Sequence, residues 1–598
     1  MDASTRLNRA AQLRQAGRVG EAADLAKPLA RQFPADLQVQ MTVGMIARDA
    51  GRFDLALACF DRALSLQPAD PQIANIRANA LAAAGRGEEA LGAFDALLAG
   101  RSDFFDGHLN RAITAHEIRS PRALALVEAS LAAFPGNGRL LSLKGEILRS
   151  AEQWVEAIDV HQTAVAADPQ RRLHHMRLGV ALRAASRDAE ALESYARVRA
   201  LGGSGATLDS LEAAALLEVD RVDEAEALYR RAFAGGDAEA GHALQRLRRE
   251  YRGDAEADSH FGEAARAAGS PEAWLAWLRA LSSFGEFDRL REAGAEALAA
   301  HPRDPWIAFL YQSARGASGE RAAAYAELGK LRGRLGNDAG LDLELARLAL
   351  MLGEPARAEK HVQAVLAQYP HDQAALAYLA TIWRVTADPR EEWLCNYERM
   401  VVPVDVPGPD GMRSSDYARE VAAVLDTLHA TRAAPGDQSL RSGTQTSGNL
   451  FARSNPAIAQ FRGCLHAAVA RIVADFPDDP DHPFWGRRGS DIGFSGSWSV
   501  KLRGGGGYHV PHFHSAGWIS SAYYARLPET LGGESGDAGW IAFGEPPEDL
   551  GLALGPRRVV EPREGRLVLF PSYMWHGTVP FEGVSARLTA AFDVVPRG

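Results

Sequence analysis

Four histidines near the C-terminal end of the chain have a spacing that suits a metal ion. His509, His512 and His514 stand within six positions of GGYHVPHFHSAGW, and His576 follows in FPSYMWHGTVPF. Residues i and i+2 of an extended segment point to the same side, so His512 and His514 can bind one ion. His576, at the end of the strand-like run RLVLF, closes a three-ligand face with open coordination positions, which O2-activating non-haem Fe(II) requires.

An arginine follows the last of these histidines at a distance that suits an anionic co-substrate. Arg587 lies eleven residues after His576, in the strand-like SARLTAAFDV. A guanidinium in that place can form a bidentate salt bridge with a dicarboxylate whose other end chelates the iron. Thr589, two residues along the same strand, points the same way and adds a hydroxyl. The pattern predicts that Arg587 and Thr589 bind a co-substrate beside the metal.

The segments that carry these residues look like short strands. From Ser497 onward, β-branched and aromatic residues cluster in runs separated by Gly and Pro, which is typical of an antiparallel sandwich. Two amphipathic stretches, SSDYAREVAAVLDTLHATR and NPAIAQFRGCLHAAVARIVADF, precede them and are predicted helices. The order indicates an α+β unit with a double-stranded β-helix (jelly-roll) core, in which Tyr523 and Tyr524 are interpreted as strand packing. The strand runs are SWSVKL, GWISSAYYARL, GWIAF, RLVLFP and SARLTAAFDV.

The stretch SWSVKLRGGGGYHVPHFHSAGWISSAYYARLP, with GRLVLFPSYMWHGTVPF and RLTAAFDVVP after it, resembles a known family. It is similar to the bacterial 2-oxoglutarate-Fe(II) oxygenases that often carry tetratricopeptide repeats, and DQSLRSGTQT upstream also fits their pattern. The resemblance implies a jelly-roll fold that uses Fe(II), 2-oxoglutarate and O2, releases succinate and inserts one oxygen atom into a substrate C–H bond. By position, it implies that His512 and His576 are iron ligands and that Arg587 binds 2-oxoglutarate.

One position departs from the wider superfamily, whose motif is His-x-Asp or His-x-Glu. His514 occupies the acidic position here. A neutral imidazole changes the charge of the site by one unit and weakens retention of a hard divalent ion. The predicted ligand set is His512, His514 and His576. Two other arrangements stay open: two histidines with water, or a site in which His509 acts together with His512.

The first part of the chain has an internal period of 34 residues, at which Gly17, Gly51 and Gly85 recur. Each unit is expected to be a pair of helices, because Gly ends the first helix, Ala lets the helices approach and Pro cannot continue the second. Stacked pairs then bury a continuous core in a curved superhelix. The other periodic residues are Ala22, Ala56 and Ala90; after a one-residue slip, Ala123, Ala157, Ala191 and Ala225; Pro34 and Pro68; Pro135 and Pro169.

This period and these residues resemble the tetratricopeptide repeat family, which implies a concave surface that holds peptide or protein partners. Gly353 with Pro370, like Gly285 with Pro302, extends the repeats to about residue 388. The cluster VVPVDVPGPDG then marks a connection. We predict a multidomain chain, with an all-α tetratricopeptide-repeat superhelix over residues 1–388 and an α+β jelly-roll oxygenase domain over residues 391–598.

Composition narrows the class of protein. The chain has 598 residues, a net charge of -10 and 24% charged residues, which match a globular protein of several domains. An acidic chain disfavours nucleic acid as a partner. Three widely separated cysteines, and the lack of a signal-like or membrane-spanning apolar run, favour a soluble cytoplasmic protein with no membrane partner.

These observations predict an enzyme, a 2-oxoglutarate-dependent non-haem iron dioxygenase that hydroxylates a peptide or protein presented by the repeats. Two alternatives stay open. In the first, the repeats are an interaction scaffold and the jelly roll is inactive. In the second, three histidines hold the metal of a dioxygenase that does not use 2-oxoglutarate. Arg587 argues against the second, because such an enzyme needs no clamp for a dicarboxylate. The oligomeric state is left open.

Overall fold

The computed structural model contains two compact units, residues 1–203 and 204–598. Both contain pairs of helices, and all of the described strands belong to the second. No described helix combines the length and the apolar character needed to span a lipid bilayer. Asp437, Gln438, Gly504 and Gly505, which belong to the stretches with the family resemblance, lie outside the described residues. The structure describes residues 3–429, 439–489, 491–503, 506–528, 531, 536–581 and 585–597.

The described part of the first unit consists of twelve helices in sequential pairs. They are α1 (Ala3–Gln15), α2 (Val19–Gln32), α3 (Leu37–Asp49), α4 (Phe53–Leu66), α5 (Pro71–Ala83), α6 (Gly87–Gly100), α7 (Phe105–Glu117), α8 (Ala123–Ala133), α9 (Gly138–Ser150), α10 (Trp154–Ala167), α11 (Arg172–Ala184) and α12 (Asp188–Ala200). Gly17, Gly51 and Gly85 follow α1, α3 and α5 with φ angles of 75°, 70° and 76°. Glycine adopts this left-handed conformation without steric cost, so it ends the first helix of each pair.

The periodic alanines lie where the two helices of a pair touch. Ala22, Ala56 and Ala90 have no exposed surface, and neither have Ala157 and Ala191. A methyl side chain at this contact lets the helix axes approach closely. The burial of these alanines agrees with close packing of the helices, and their role in the approach of the two helices stays a prediction.

The helix pairs continue in the second unit, where glycine is not always present at the turn. Asp220 and Ala387 adopt left-handed conformations there, with φ angles of 61° and 52°. Arg119, Glu152 and Ser186 also have positive φ angles in the first unit. Tertiary packing thus imposes the left-handed turn on residues other than glycine. The helices are α13 (Ala206–Glu218), α14 (Val222–Ala234), α15 (Ala238–Arg252), α16 (Ser259–Ala268), α17 (Pro271–Ser283), α18 (Phe287–Ala300), α19 (Pro305–Ala317), α20 (Arg321–Leu335), α21 (Ala339–Met351), α22 (Pro355–Gln368), α23 (Gln373–Val385), α24 (Arg390–Leu394) and α25 (Tyr397–Met400).

Strands then form a jelly roll. Helix α26 (Ser414–Asp426) follows the first strand, and helix α27 (Pro456–Ala474) follows the third. Among the described residues, six strands make one antiparallel sheet in the order β1-β9-β6-β11-β4-β3, and the others make two small sheets, β10-β7-β8 and β2-β5. The strands are β1 (Val402–Asp405), β2 (Leu440–Arg441), β3 (Gly443–Gln445), β4 (Asp491–Leu502), β5 (Tyr508–His509), β6 (Ile519–Arg526), β7 (Ile541–Phe543), β8 (Arg558–Val560), β9 (Arg566–Pro571), β10 (His576–Thr578) and β11 (Arg587–Arg597).

The segment VVPVDVPGPDG is more than a connection. It contains β1, which pairs with β9 at the edge of the large sheet, with Val402 opposite Leu569. Pro403 is compatible with this place because an edge strand needs hydrogen bonds on one side only. The domain boundaries at residues 388 and 391 stay a prediction.

Helix α27 covers one face of the large sheet, and the other face is turned toward the histidines. Phe461 of α27 packs edge-on against Tyr523 of β6, with ring centroids 4.9 Å apart. Its neighbour Tyr524 points to the opposite face because side chains alternate along a strand. The large sheet therefore separates an apolar core from a polar cavity.

Helix α23 packs directly against the loop before β10. The indole Nε1 of Trp575 donates to Thr381 Oγ1 at 2.9 Å, and the Trp575 ring meets the Phe513 ring edge-on at 5.1 Å. Arg384 donates to the carbonyl oxygens of Gly544 and Gly555, both at 2.6 Å. The last repeat helix and the jelly roll thus share one core within the second unit.

Candidate metal and anion site

Three of the four histidines converge on one point. One ring nitrogen of each of His512, His514 and His576 lies within 4.8 Å of the other two. Nε2 of His512 is 3.3 Å from Nε2 of His514, and the rings of His512 and His576 have centroids 4.2 Å apart. The structure thus brings together the predicted ligand set. Its role as ligands stays a prediction.

Backbone pairing fixes this convergence. The N–H groups of His512 and His576 each donate to the other residue's carbonyl, at 3.0 and 2.9 Å, and the N–H of His514 donates to the carbonyl of Ser572 at 2.9 Å. His576 begins the separate strand β10 after a turn, and does not end β9 as the sequence suggested. The turn carries His576 from the large sheet to the small one, opposite His512.

Two of the rings are oriented by main-chain carbonyls. Nδ1 of His512 donates to the carbonyl of Val510 at 2.8 Å, and Nδ1 of His576 donates to that of Met574 at 3.0 Å. A proton on Nδ1 leaves the lone pair on Nε2, and a hydrogen bond of this kind sets the tautomer of metal-binding histidines. Both Nε2 atoms are therefore free to bind an ion.

The third ring is oriented by a carboxylate. Nδ1 of His514 donates to Oδ1 of Asp593 at 2.6 Å. Ser520 Oγ donates to the same oxygen at 2.7 Å and lies 2.8 Å from Ser572 Oγ. This arrangement also leaves Nε2 of His514 as the acceptor atom.

Burial keeps two of these imidazoles neutral. It lowers the pKa of His512 to about 3 and holds the pKa of His576 well below its ordinary value. Desolvation disfavours the charged ring, and the other histidines nearby act in the same direction. Neutral imidazole is the form that binds metal ions.

The fourth histidine, His509, lies next to the cluster but outside it. Its ring stacks on His512 at a centroid distance of 5.7 Å, and its Nδ1 is 3.0 Å from Ser439 Oγ. Burial holds the pKa of His509 well below its ordinary value. His509 lines the cavity as a neutral polar group.

Arg587 is buried in the same cavity, with 3% of its surface exposed. Its Nη1 donates to Thr578 Oγ1 at 3.3 Å, its Cζ lies 4.9 Å from the centroid of the Tyr524 ring, and its Nε has no hydrogen-bond partner. Burial lowers the pKa of this guanidinium. No carboxylate in the described part of the chain forms an ion pair with Arg587. A buried cation without a counter-ion is costly, so the arrangement favours an anionic guest.

One face of β11 forms a wall of the cavity, whose volume is about 440 Å³. Arg587, Thr589, Ala591 and Asp593 alternate along this strand and all line the cavity. Thr589 Oγ1 lies 3.4 Å from the carbonyl of Val500, its acceptor. The small Ala591 leaves open space between the arginine and the histidine cluster.

Two known families match segments of the chain. Residues 496–593 match the family described as "Putative 2OG-Fe(II) oxygenase". The family described as "Tetratricopeptide repeat" matches residues 41–103, 119–172, 156–206 and 343–387. The chain therefore carries tetratricopeptide repeats and a C-terminal domain that is similar to this oxygenase family, and this domain is called the oxygenase domain below. The three convergent histidines, Arg587 and Asp593 all lie within the oxygenase match.

Solved structures similar to the chain include the following three. A tetratricopeptide repeat protein from Parabacteroides merdae ATCC 43184 is 17% identical over 39% of this chain and 93% of its own, with a TM-score of 0.32. MamA (residue 41 to its end) from Desulfovibrio magneticus RS-1 is 24% identical over 28% and 94%, with a TM-score of 0.25. Yeast Tom70 is 12% identical over 66% and 98%, with a TM-score of 0.33. None of the curated proteins compared with the chain matches it.

Sequence reasoning missed three residues of the oxygenase domain's cavity. Asp593 continues the alternation of Arg587 and Thr589, so the same period of two would have found it. Tyr524, interpreted as packing, also lies against the guanidinium. Thr578 had no signal in the sequence, because its approach depends on how β10 lies beside β11.

The residues of the oxygenase domain fit the two groups that its family implies. Three imidazoles with free Nε2 atoms suit a divalent transition metal such as Fe(II). The unpaired guanidinium of Arg587 suits one carboxylate of a dicarboxylate such as 2-oxoglutarate. The donor set differs from the usual two histidines and one carboxylate, since the carboxylate of Asp593 stands behind His514.

Proposed function

We propose that the oxygenase domain is an Fe(II)- and 2-oxoglutarate-dependent dioxygenase that hydroxylates its substrate. The observation that carries this proposal is the buried, unpaired Arg587 in the same cavity as three convergent imidazoles. A metal site alone fits many reactions. A metal site that shares a cavity with a cation lacking its anion fits a reaction with an anionic co-substrate.

In this proposal His512, His514 and His576 would hold the iron through their Nε2 atoms. When bound, Fe(II) and 2-oxoglutarate together activate O2, with loss of CO2 to give succinate and transfer of one oxygen atom to a substrate C–H bond. The hydrogen bonds at Nδ1 keep the rings in the tautomer that the ligands require.

Arg587 would bind the carboxylate of 2-oxoglutarate that is remote from the metal. Nη1 is held by Thr578 and the guanidinium rests on Tyr524, so the cation is fixed before the anion arrives. Thr589 stands two residues along the strand and contributes a hydroxyl on the same wall. A preorganised, buried charge binds an anion more strongly than an exposed one.

We further propose that the substrate is a peptide or protein in the cytoplasm, and that the repeats bind it. The matches to tetratricopeptide repeats support this, since such repeats generally bind proteins or peptides. We assign residues 1–388 to the repeats and 391–598 to the oxygenase domain. Binding energy from a remote part of the substrate would then position the reacting group.

Anaerobic titration tests this function. The full chain is loaded with Fe(II), and 2-oxoglutarate is added while the visible spectrum is recorded. A charge-transfer band that appears only with both components, followed by succinate release on admission of O2, supports the proposal. Tight metal binding without such a band favours a three-histidine dioxygenase that does not use 2-oxoglutarate. Absence of metal binding favours an inactive jelly roll on an interaction scaffold.

A further inference from the structure

The three histidines differ in what stands behind them. His512 and His576 donate to neutral backbone carbonyls, whereas His514 donates to the carboxylate of Asp593 at 2.6 Å. Among the described residues of the cluster, His514 alone has a carboxylate partner. One of the three proposed ligands, His514, therefore has a negatively charged side chain in direct contact with the ring nitrogen that faces away from the cluster.

Asp593 is held in this place by a built network. It is 7% exposed, and Ser520 and Ser572, which are fully buried, form a chain of hydrogen bonds that ends on its Oδ1. A Cβ on Gly517 would lie 2.4 Å from Ser572 Oγ and 3.1 Å from Asp593 Cγ. The backbone at Gly517 approaches so closely that a larger residue would displace the Ser572 hydroxyl and press against the side chain of Asp593.

The charge of the site explains why this carboxylate matters. Non-haem Fe(II) oxygenases generally bind iron with two histidines and one carboxylate, which reduces the net charge of the centre by one. Three neutral imidazoles do not. A carboxylate that accepts a hydrogen bond from a ligand histidine raises the basicity of that ligand, and such partners contribute about 10–100-fold to metal affinity.

We propose that Asp593 is a positioning residue that supplies, through His514, the negative charge that a carboxylate ligand would supply directly. This inference rests on the proposed function and makes it more specific. It explains how a site with histidine at the acidic position retains a hard divalent ion. A purely structural role for Asp593, as an anchor that only orients the loop, gives different results in the following experiment.

The experiment measures the affinity of the full chain for Co(II) in competition with a chromogenic chelator, without 2-oxoglutarate. Asp593→Asn keeps the shape and one acceptor oxygen but removes the charge, so affinity should fall about 10–100-fold. Ser520→Ala removes a hydrogen bond to the same oxygen and a 3.0 Å contact with Nδ1 of His514 but keeps the charge, and affinity should change less than about threefold. Ser495→Ala, whose Oγ lies 3.4 Å from the backbone carbonyl of Asp593, is the matched control and should bind like the wild type.

A second variant tests the charge itself. Asp593→Ala opens a space beside the cavity, and formate should restore part of its Co(II) affinity, whereas formamide, which is neutral, should not. Formate and formamide are compared in the same variant, so the result tests the contribution of the charge even if Asp593→Asn does not fold.

Each other outcome overturns the inference. Equal Co(II) affinity of Asp593→Asn and the wild type would show that the charge contributes nothing. Equal losses in Asp593→Asn and Ser520→Ala, or equal rescue by formate and formamide, would show that the network is only an anchor. If the wild type itself does not bind Co(II), the proposed function fails together with this inference. If the wild type binds Co(II) and Asp593→Asn binds it equally well, only this inference fails.

Discussion

In the repeats, the same packing contact occurs several times. Gly44 faces the ring of Phe60, Gly145 faces His161 and Gly179 faces Tyr195, and a Cβ on any of these glycines would lie within 2.6 Å of the ring. In the oxygenase domain, by contrast, the contacts around the three histidines occur once. The stability of the repeats is therefore spread over many equivalent contacts, whereas the proposed chemistry depends on individual residues.

The residue that corresponds to Gly44 in the next repeat is Ala78. Ala78 lies 34 residues after Gly44, and Phe94 lies 34 residues after Phe60. Ala78, Phe60 and Phe94 are all fully buried. An alanine is thus accommodated at this position of the later repeat, whereas a Cβ on Gly44 itself would lie 2.5 Å from the Phe60 ring. No second copy of Asp593 or Arg587 exists in the described cavity.

The largest effect is expected for His576→Ala. This change removes one of three proposed ligands from a buried position, and metal affinity should fall by more than the roughly 10–100-fold that an outer partner contributes. Metal analysis of the purified full chain after dialysis measures it. His509→Ala is the control and should retain the metal, because His509 lies outside the cluster. Wild-type metal content in His576→Ala would remove this residue from the site.

Two fragments test whether helix α23 of the repeats supports the metal site of the oxygenase domain. A fragment that starts at Glu391 lacks Thr381 and Arg384, so the Trp575 indole loses its acceptor beside His576 and an apolar face is exposed. It should bind metal weakly or aggregate. A fragment that starts at Ser204 keeps the whole compact unit and should bind metal like the full chain. Equal metal binding by both soluble fragments would show that α23 does not support the site.

A pair of glycine substitutions gives the smallest effect. In Gly44→Ala the new Cβ meets Phe60, which costs about 1–2 kcal/mol of unfolding free energy after the gain in helix propensity, and metal affinity should not change. In Gly517→Ala the new Cβ meets Ser572 and presses against Asp593, so metal affinity should fall. Chemical denaturation and Co(II) binding measure the two quantities. An equal loss of metal affinity in both variants would contradict the separation of roles.

Sequence alone predicted the features that are periodic or local. The 34-residue spacing predicted the helix pairs, and the β-branched runs predicted β4, β6, β7, β9 and β11. The left-handed turns at Arg119 and Ala387 could not be predicted, since their side chains carry no glycine-like signal and packing imposes the conformation. Likewise β1 was hidden in a Pro-rich segment that pairs only at an edge.

The candidate site was predicted in part for the same physical reason. His512 and His514 are two residues apart, so their common direction follows from strand geometry. The contact of His514 with Asp593 joins residues 79 positions apart, and depends on the register of strands that the sequence does not specify. The unpaired state of Arg587 is a property of its surroundings, which only the structure describes.

The most direct test of the proposed function compares 2-oxoglutarate binding by wild type and Arg587→Ala, both loaded with metal. Truncating a buried charge that pairs with the co-substrate should cost about 2–5 kcal/mol, a loss of affinity of at least roughly 30-fold. Metal content should stay unchanged. Arg566→Ala, which removes an arginine that pairs with Asp405 at 2.9 Å outside the cavity, is the control. Unchanged 2-oxoglutarate affinity in Arg587→Ala would contradict the account.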